Sequence, residues 1–255
     1  MEHGVSFPPL FPTGGELPLL SRALVALVVN AALGGVAWWK SWVSRSGYLG
    51  GVVLGSWILF FGGLGGYVVL LLFFLMGTGA TRLGFHRKER EGLAQEEGGR
   101  RGARHALANC AIGGLLVSLF PIRSGPILAV AYVGSFATAL ADTLGSEVGQ
   151  LFGRRTFDPL HLRSVPRGTE GAVSAEGTLA GLGGAAVLAL LGALLGLYPL
   201  TVSWAVVVGA GAGSLAESVA GSALRGRKGL DNEVLNLTNT AIGALFAGFL
   251  AGFMA

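Results

Sequence analysis

The stretch Pro126-Ile-Leu-Ala-Val-Ala-Tyr-Val-Gly-Ser-Phe-Ala-Thr138-Ala-Leu-Ala-Asp142-Thr143-Leu-Gly-Ser146-Glu147-Val-Gly-Gln150 decides the fold. No charged residue lies between Pro126 and Ala141, and the run is long enough to cross a hydrocarbon core that takes roughly 17 to 25 residues. Acids then enter at one end. At about 100° per residue, Thr138, Asp142, Thr143, Ser146, Glu147 and Gln150 share one arc, while Leu140, Leu144, Val148 and Leu151 take the other side. An acid within a membrane helix costs roughly 2.5 to 3.5 kcal/mol on insertion scales, so two acids on one arc mark a functional site by default. The competing reading is that Asp142 and Glu147 pair with basic residues of the loops.

The rest of the chain has the same character. Of 255 residues, 52% are hydrophobic and only 13% charged, with mean hydropathy +0.64. A soluble domain carries about 25% charged residues, so this composition excludes one. The 44 glycines suit close helix packing in lipid, with small residues four apart at Gly51/Gly55, Gly62/Gly66, Gly192/Gly196 and Gly209/Gly213. A single cysteine, Cys110, excludes an intramolecular disulfide and a thiolate metal site. The segment before Glu16 lacks the basic start of a secretory signal.

Apolar runs predict an all-α, polytopic transmembrane bundle of about eight spans, near 17–38, 47–62, 65–83, 103–120, 125–151, 174–197, 199–223 and 233–254. The connection between the second and third is little more than Gly62 and Gly63. Residues 1–16 then form an N-terminal tail and 17–255 a single membrane domain. Sixteen of the 18 basic residues fall in loops 39–46, 82–104, 152–173 and 224–232. Only Arg22 and Arg123 lie on the other side. Lys and Arg stay cytoplasmic, so these four loops face the cytoplasm of a multi-pass cell-membrane protein and both termini are external. The basic balance follows from topology first; attraction to anionic lipid or phosphate comes second. No DNA-binding motif is present, and no nucleic-acid partner is expected.

Three further spans carry polar stripes. Span 7 places Ser214, Glu217, Ser218, Gly221, Ser222 and Arg225 in one arc. Its Ser214-Leu-Ala-Glu217-Ser218-Val219 aligns with Ala139-Leu-Ala-Asp142-Thr143-Leu144 of span 5, as two related helices facing one site would. Span 8 repeats Asn232, Asn236, Asn239 and Gly243 along a narrow stripe. Such amides either bridge helices or contact a ligand. Span 4 adds Arg101, His105 and Asn109.

Carboxylates and amide oxygens are hard ligands suited to Mg²⁺, and no histidine cluster suggests zinc or copper. Adjacent arginines and lysines then point to a magnesium-phosphate site. Two glycine segments could bind phosphate oxygens through backbone N–H groups. They are Gly77-Thr78-Gly79-Ala-Thr81-Arg82, and Val165-Pro-Arg167-Gly168-Thr169-Glu-Gly171-Ala-Val-Ser174 ahead of span 6. In the second, Ser174 is equally a helix cap and the glycines equally a turn. Neither is a Walker A loop. In loop 82–104 most charges read as solvated, with Lys88 and Arg101 the exceptions.

Taken in order, Lys88-x-x-x-Gly92, Gly98-Gly-Arg100-Arg101-Gly, Leu107-Ala-Asn109, Ala141-Asp142-Thr143-x-x-Ser146-Glu147-x-Gly149, Gly168-Thr169-x-Gly171-x-Val-Ser174-x-x-Gly177 and Asn232-x-Val-x-Asn236 resemble one known family. It contains the phytyl phosphate kinases of vitamin E synthesis and the animal transmembrane protein nineteen. The resemblance spans roughly residues 45 to 250 and implies phosphoryl transfer, from CTP or another nucleoside triphosphate, to a lipid-embedded isoprenoid monophosphate such as phytyl or geranylgeranyl phosphate. It places Asp142, Glu147, Lys88 and Arg101 in catalysis. Arg167, Gly168, Thr169, Gly171, Ser174, Asn109, Asn232 and Asn236 then hold nucleotide and phosphates, with Mg²⁺ on Asp142, Glu147 and Glu217. Glu217-Ser218 stands where the family pattern has Asp-Ser.

An acceptor already anionic near neutral pH needs no strong general base, which agrees with the lack of an obvious catalytic histidine. The alternatives are a CTP-using cytidylyltransferase or polyprenol kinase, and, in a different class, a membrane transporter. Product identity separates the enzymes; flux without nucleotide turnover marks the transporter. Oligomeric state is not legible.

Overall fold

The computed structural model describes residues 18–95, 97–122, 125–226 and 232–254. The expected N-terminal tail, Glu96, Arg123 and the Arg227–Lys228 part of the last basic loop lie outside the described residues. Helices α1 (Leu19–Trp39), α2 (Arg45–Arg82), α4 (Ala103–Ser118), α5 (Pro126–Phe152), α6 (Ala175–Leu194), α7 (Ser203–Leu224) and α8 (Asn232–Gly252) make the bundle, and a short α3 (Phe85–Arg90) follows α2. Six of these helices are long and apolar enough to cross a membrane.

One of the six is two crossings. A straight helix of 38 residues would be about 57 Å long, nearly twice a bilayer core. Yet Arg82, its last residue, donates from Nη2 to the carbonyls of Ser41 (2.7 Å) and Lys40 (3.2 Å), just before its first residue. The segment therefore folds back on itself. The reversal is at Gly63, whose φ of 62° and ψ of −168° interrupt the helix in a region open only to glycine. Gly62 beside it lets Val117 of α4 pack against the turn. The spans expected at 47–62 and 65–83 are the two arms. With α4 as a further, shorter crossing, about eight spans result.

The bundle is organised around α5, 78% of whose apolar window is buried within the protein, against 11% for α1. Around α5 stand α2, α4, α6, α7 and α8, while α1 packs chiefly on α2 at the periphery. Small residues set the close approaches. Gly209 and Gly213 of α7 lie against α8 near Gly243 and Ala247, and Gly181 of α6 lies on the backbone of Ala141. Lipid gives no hydrophobic drive for helices to associate, so such contacts and interhelical hydrogen bonds hold the bundle. Two bonds recur at depth: Tyr132 Oη to the Gly66 carbonyl at 2.7 Å, and Tyr67 Oη to Asn30 Oδ1 at 2.8 Å.

The departure from helix is small. The long connection after α5 forms three short antiparallel strands, β1 (Thr156–Asp158), β2 (Arg163–Ser164) and β3 (Val173–Ser174), in the order β2-β1-β3. It lies at the same end as the described parts of the other three basic loops. That end carries the site.

Candidate active site

The connections after α2 and α5, the start of α2 and the facing ends of α4, α5, α7 and α8 converge on a cavity of about 860 Å³. Asp142 of α5 and Glu217 of α7 face it, with their carboxyl groups within hydrogen-bonding reach of one another. From α8, Asn239 Nδ2 donates to Glu217 Oε2, while its own Oδ1 is buried without a partner among the described residues. Two carboxyls this close repel when both are charged, so a proton or a cation is needed between them. The donor set is all oxygen. It fits Mg²⁺, which binds one or two carboxylates together with substrate phosphates. Among the described residues no three His, Cys, Asp or Glu cluster into a ready metal cage.

The same cavity is lined by Arg100, Arg101, Arg104 and His105, with Glu97, Glu170 and Glu233 among them, and Arg104 Nε lies 3.8 Å from Glu233 Oε1. Arg101 is 6% exposed, its Nε and Nη2 are buried with no hydrogen-bond partner, and its guanidinium lies 5.8 Å from the Phe73 ring centroid. Its backbone is tied to the start of the α2 hairpin: its N–H donates to the Trp42 carbonyl and its carbonyl accepts from Ser44 N, both at 3.1 Å. The loop Gly168-Thr169-Glu170-Gly171 lines the rim. Gly171 has φ +74° and sits against the α7 backbone at Ser218 and Ser222, where any side chain would collide.

That loop is clamped by a network the sequence did not disclose. Arg225 at the end of α7 donates from Nη2 (2.6 Å) and Nε (3.1 Å) to the Glu170 carbonyl, and from Nη1 to Asp158 Oδ2 at 3.1 Å. Asp158, fully buried on β1, also accepts from Ser222 Oγ, from His161 Nδ1 at 3.0 Å and from the backbone N–H groups of Leu160 and His161. The Ser222 hydroxyl first, and then His161, hold its carboxyl far below the usual carboxylate range. The available signal was an acid set among Arg155, His161 and Arg163. Asn239 was visible as part of the asparagine stripe, but only packing shows that it, rather than Asn232 or Asn236, reaches Glu217.

The cavity collects Asp142, Glu217, Arg101, Gly168, Thr169, Gly171, Ser174, Asn232 and Asn236 of the expected site. Four expected residues are elsewhere. Lys88 and Glu147, expected in catalysis and at the metal, are 1% and 2% exposed and form an ion pair between α3 and α5. Lys88 Nζ also donates to the Thr81 carbonyl at 2.8 Å. For Glu147 the pairing alternative therefore describes the structure, and the expected set of Asp142, Glu147 and Glu217 is not brought together. Arg167 caps the end of α5 through the Gln150 and Leu151 carbonyls and reaches Glu91 at 3.4 Å. Asn109 is buried on a second, apolar cavity, its Nδ2 on the His105 carbonyl. Within the rim, Ser174 Oγ accepts from Gly177 N at 3.1 Å as the α6 cap, and the Thr169 hydroxyl closes a turn onto the Pro166 carbonyl at 2.7 Å.

A family model described as integral membrane protein DUF92 matches residues 28–244. The chain belongs to that family. It is the family that the sequence motifs resembled, and its match covers every residue that lines the cavity. An uncharacterized membrane protein of Synechocystis is 38% identical over 231 residues, covering 88% of this chain and 89% of that one. Protein VTE6, chloroplastic, of Arabidopsis thaliana is 32% identical over 220 residues, covering 83% of this chain and 66% of the plant protein. An uncharacterized membrane protein of Methanocaldococcus jannaschii is 31% identical over 227 residues, 89% of this DUF92 chain and 93% of its own length. No solved structure matches the chain.

Proposed function

We propose that this protein is a membrane phosphotransferase that moves the γ-phosphoryl group of CTP onto an isoprenoid monophosphate, at the cytoplasmic face. The observation that carries the reading is that one cavity is lined both by the Asp142–Glu217 carboxyl pair and by Arg100, Arg101 and Arg104. Phosphoryl transfer asks a protein mainly to position two phosphates and neutralise their charge, and this arrangement suits both tasks. Membership of the family with the phytyl phosphate kinases supports the substrate class.

In the proposed reaction an oxygen of the acceptor monophosphate attacks the γ-phosphorus. The new P–O bond forms as the bond to the β,γ-bridging oxygen breaks, and CDP leaves with that electron pair. Asp142, Glu217 and the Asn239 amide oxygen would hold Mg²⁺, which supplies neutralisation of the nucleotide's phosphates. The arginines orient the acceptor, and the clamped Gly168–Gly171 turn holds the rim in place. The anionic acceptor needs no base from the protein.

The test is purified protein in nanodiscs with Mg²⁺, CTP and geranylgeranyl monophosphate. The expected products are CDP and the prenyl diphosphate, with Asp142→Asn and Glu217→Gln each lowering turnover by about 100-fold or more, as loss of an electrostatic stabiliser does. CMP with pyrophosphate would replace this reading with cytidylyl transfer. Failure of every nucleoside triphosphate to turn over, with solute flux into proteoliposomes instead, would replace it with transport.

A further inference from the structure

Beside the polar cavity lies a second one of about 130 Å³, between α1, both arms of α2 and α4. Its lining is almost wholly apolar, including Leu33, Leu54, Leu70 and Phe74. Toward the lipid it ends at Leu33, 45% exposed, and at the exposed Gly51. Toward the protein interior it ends at Arg101 and His105, and these two residues also line the polar cavity. One wall thus separates a greasy slot from an aqueous chamber, and that wall carries buried nitrogens without partners: Nε and Nη2 of Arg101 and Nε2 of His105.

An arginine buried with unpaired N–H groups is costly to leave so, and its planar fork matches a phosphate. The carboxylate whose field reaches it, Glu147, has Oε2 on Lys88, and no hydrogen bond joins its other oxygen, Oε1, to Arg101. An apolar cavity on the order of 150 Å³ takes a molecule the size of benzene. We infer that the slot seats the first isoprenoid unit of a single-chain lipid phosphomonoester, whose phosphate is gripped by Arg101 at the junction and whose remaining tail lies in the bilayer past Leu33 and Gly51. This rests on the proposed function in taking the phosphate to be that of the acceptor. It adds a lateral route by which the acceptor enters from lipid while the nucleotide arrives from water. A two-chain phosphatidic acid carries the same headgroup but does not fit the slot.

Gly51 offers a way to fill the slot without disturbing packing, because a side chain begun there meets no atom within 4 Å. The same holds for Gly35 of α1, which does not line the slot and serves as control. The experiment measures equilibrium binding of labelled geranylgeranyl monophosphate to the full-length protein in nanodiscs, without nucleotide. Gly51→Phe and Arg101→Gln are each expected to weaken binding by about tenfold or more, the worth of one hydrogen bond to a charged group or one blocked contact surface. Gly35→Phe should leave it unchanged. Geranylgeraniol should bind weakly and lose nothing further with Arg101→Gln, and excess dioleoyl phosphatidic acid should compete poorly. Unaltered binding in folded Gly51→Phe, or equal competition by phosphatidic acid, would overturn the slot even where turnover is normal. Binding that follows this pattern without turnover on any nucleotide would leave the slot standing and remove the kinase reading.

Discussion

Asp142 and Glu147 stand five positions apart on one helix, which at 100° per residue puts them about 140° apart around it. An arc that broad cannot face one neighbour. Asp142 meets Glu217 across the cavity, and Glu147 meets Lys88, which α3 inserts from below the second arm of α2. A buried ion pair is expensive to break from one side, by roughly 3 to 5 kcal/mol, yet replaceable by apolar residues of similar size. Lys88→Met should therefore lower the unfolding free energy in detergent by about that amount. Lys88→Met with Glu147→Leu should recover most of it and keep turnover; a double variant that is stable but inactive would return the pair to the catalytic machinery. The Asp158 cluster gives a pH signature. Its carboxyl is held below the ordinary range, so its contribution to stability is full above an unfolded value of about 4 and is lost as pH falls toward the depressed folded value. The melting-temperature gap between wild type and Asp158→Asn should be constant from about pH 7 to pH 5 and shrink below about pH 4. A gap that widened on acidification would contradict the network.

At the scale of elements, the hairpin of α2 shows how one residue sets topology. Both arms are apolar, and nothing in their composition prevents one continuous helix; Gly63 reverses the chain because its φ of 62° is free to glycine and costs other residues about 1 to 3 kcal/mol. Gly63→Ala should lower the melting temperature in detergent, while Gly35→Ala, in open space on α1, should not. Equal effects would mean that the reversal is held by Arg82 and the surrounding helices rather than by the glycine. The stripe likeness between α5 and α7 also resolves at this scale. The two helices run in the same direction, and the aligned acids Asp142 and Glu217 are the pair that meets.

At the scale of the molecule, the described basic loops gather at one end, so a single orientation satisfies the positive-inside bias for all of them. In a Cys110→Ser background, single cysteines at Ile122 and Leu200, both exposed at the opposite end, should react with a membrane-impermeant maleimide in intact spheroplasts. A cysteine at Glu97, on the cavity rim, should react only after permeabilisation. The reverse pattern would invert the orientation and put the polar cavity outside the cell, against the proposed function.

Crossing number, helix direction and the end at which chemistry gathers were legible in the residues alone. Each is set by a one-dimensional balance between a segment and the bilayer: apolar length against core thickness, and Lys and Arg against the membrane. Asp142 and Glu217 were legible too, because an acid in lipid requires a partner or a task. Which partner was not. Glu147 with Lys88, Asn239 on Glu217, Arg167 on the α5 terminus and the Asp158 clamp depend on neighbours far apart in sequence. A helix presents several polar faces at once, and only the packing of the other helices decides which of them meets the cavity.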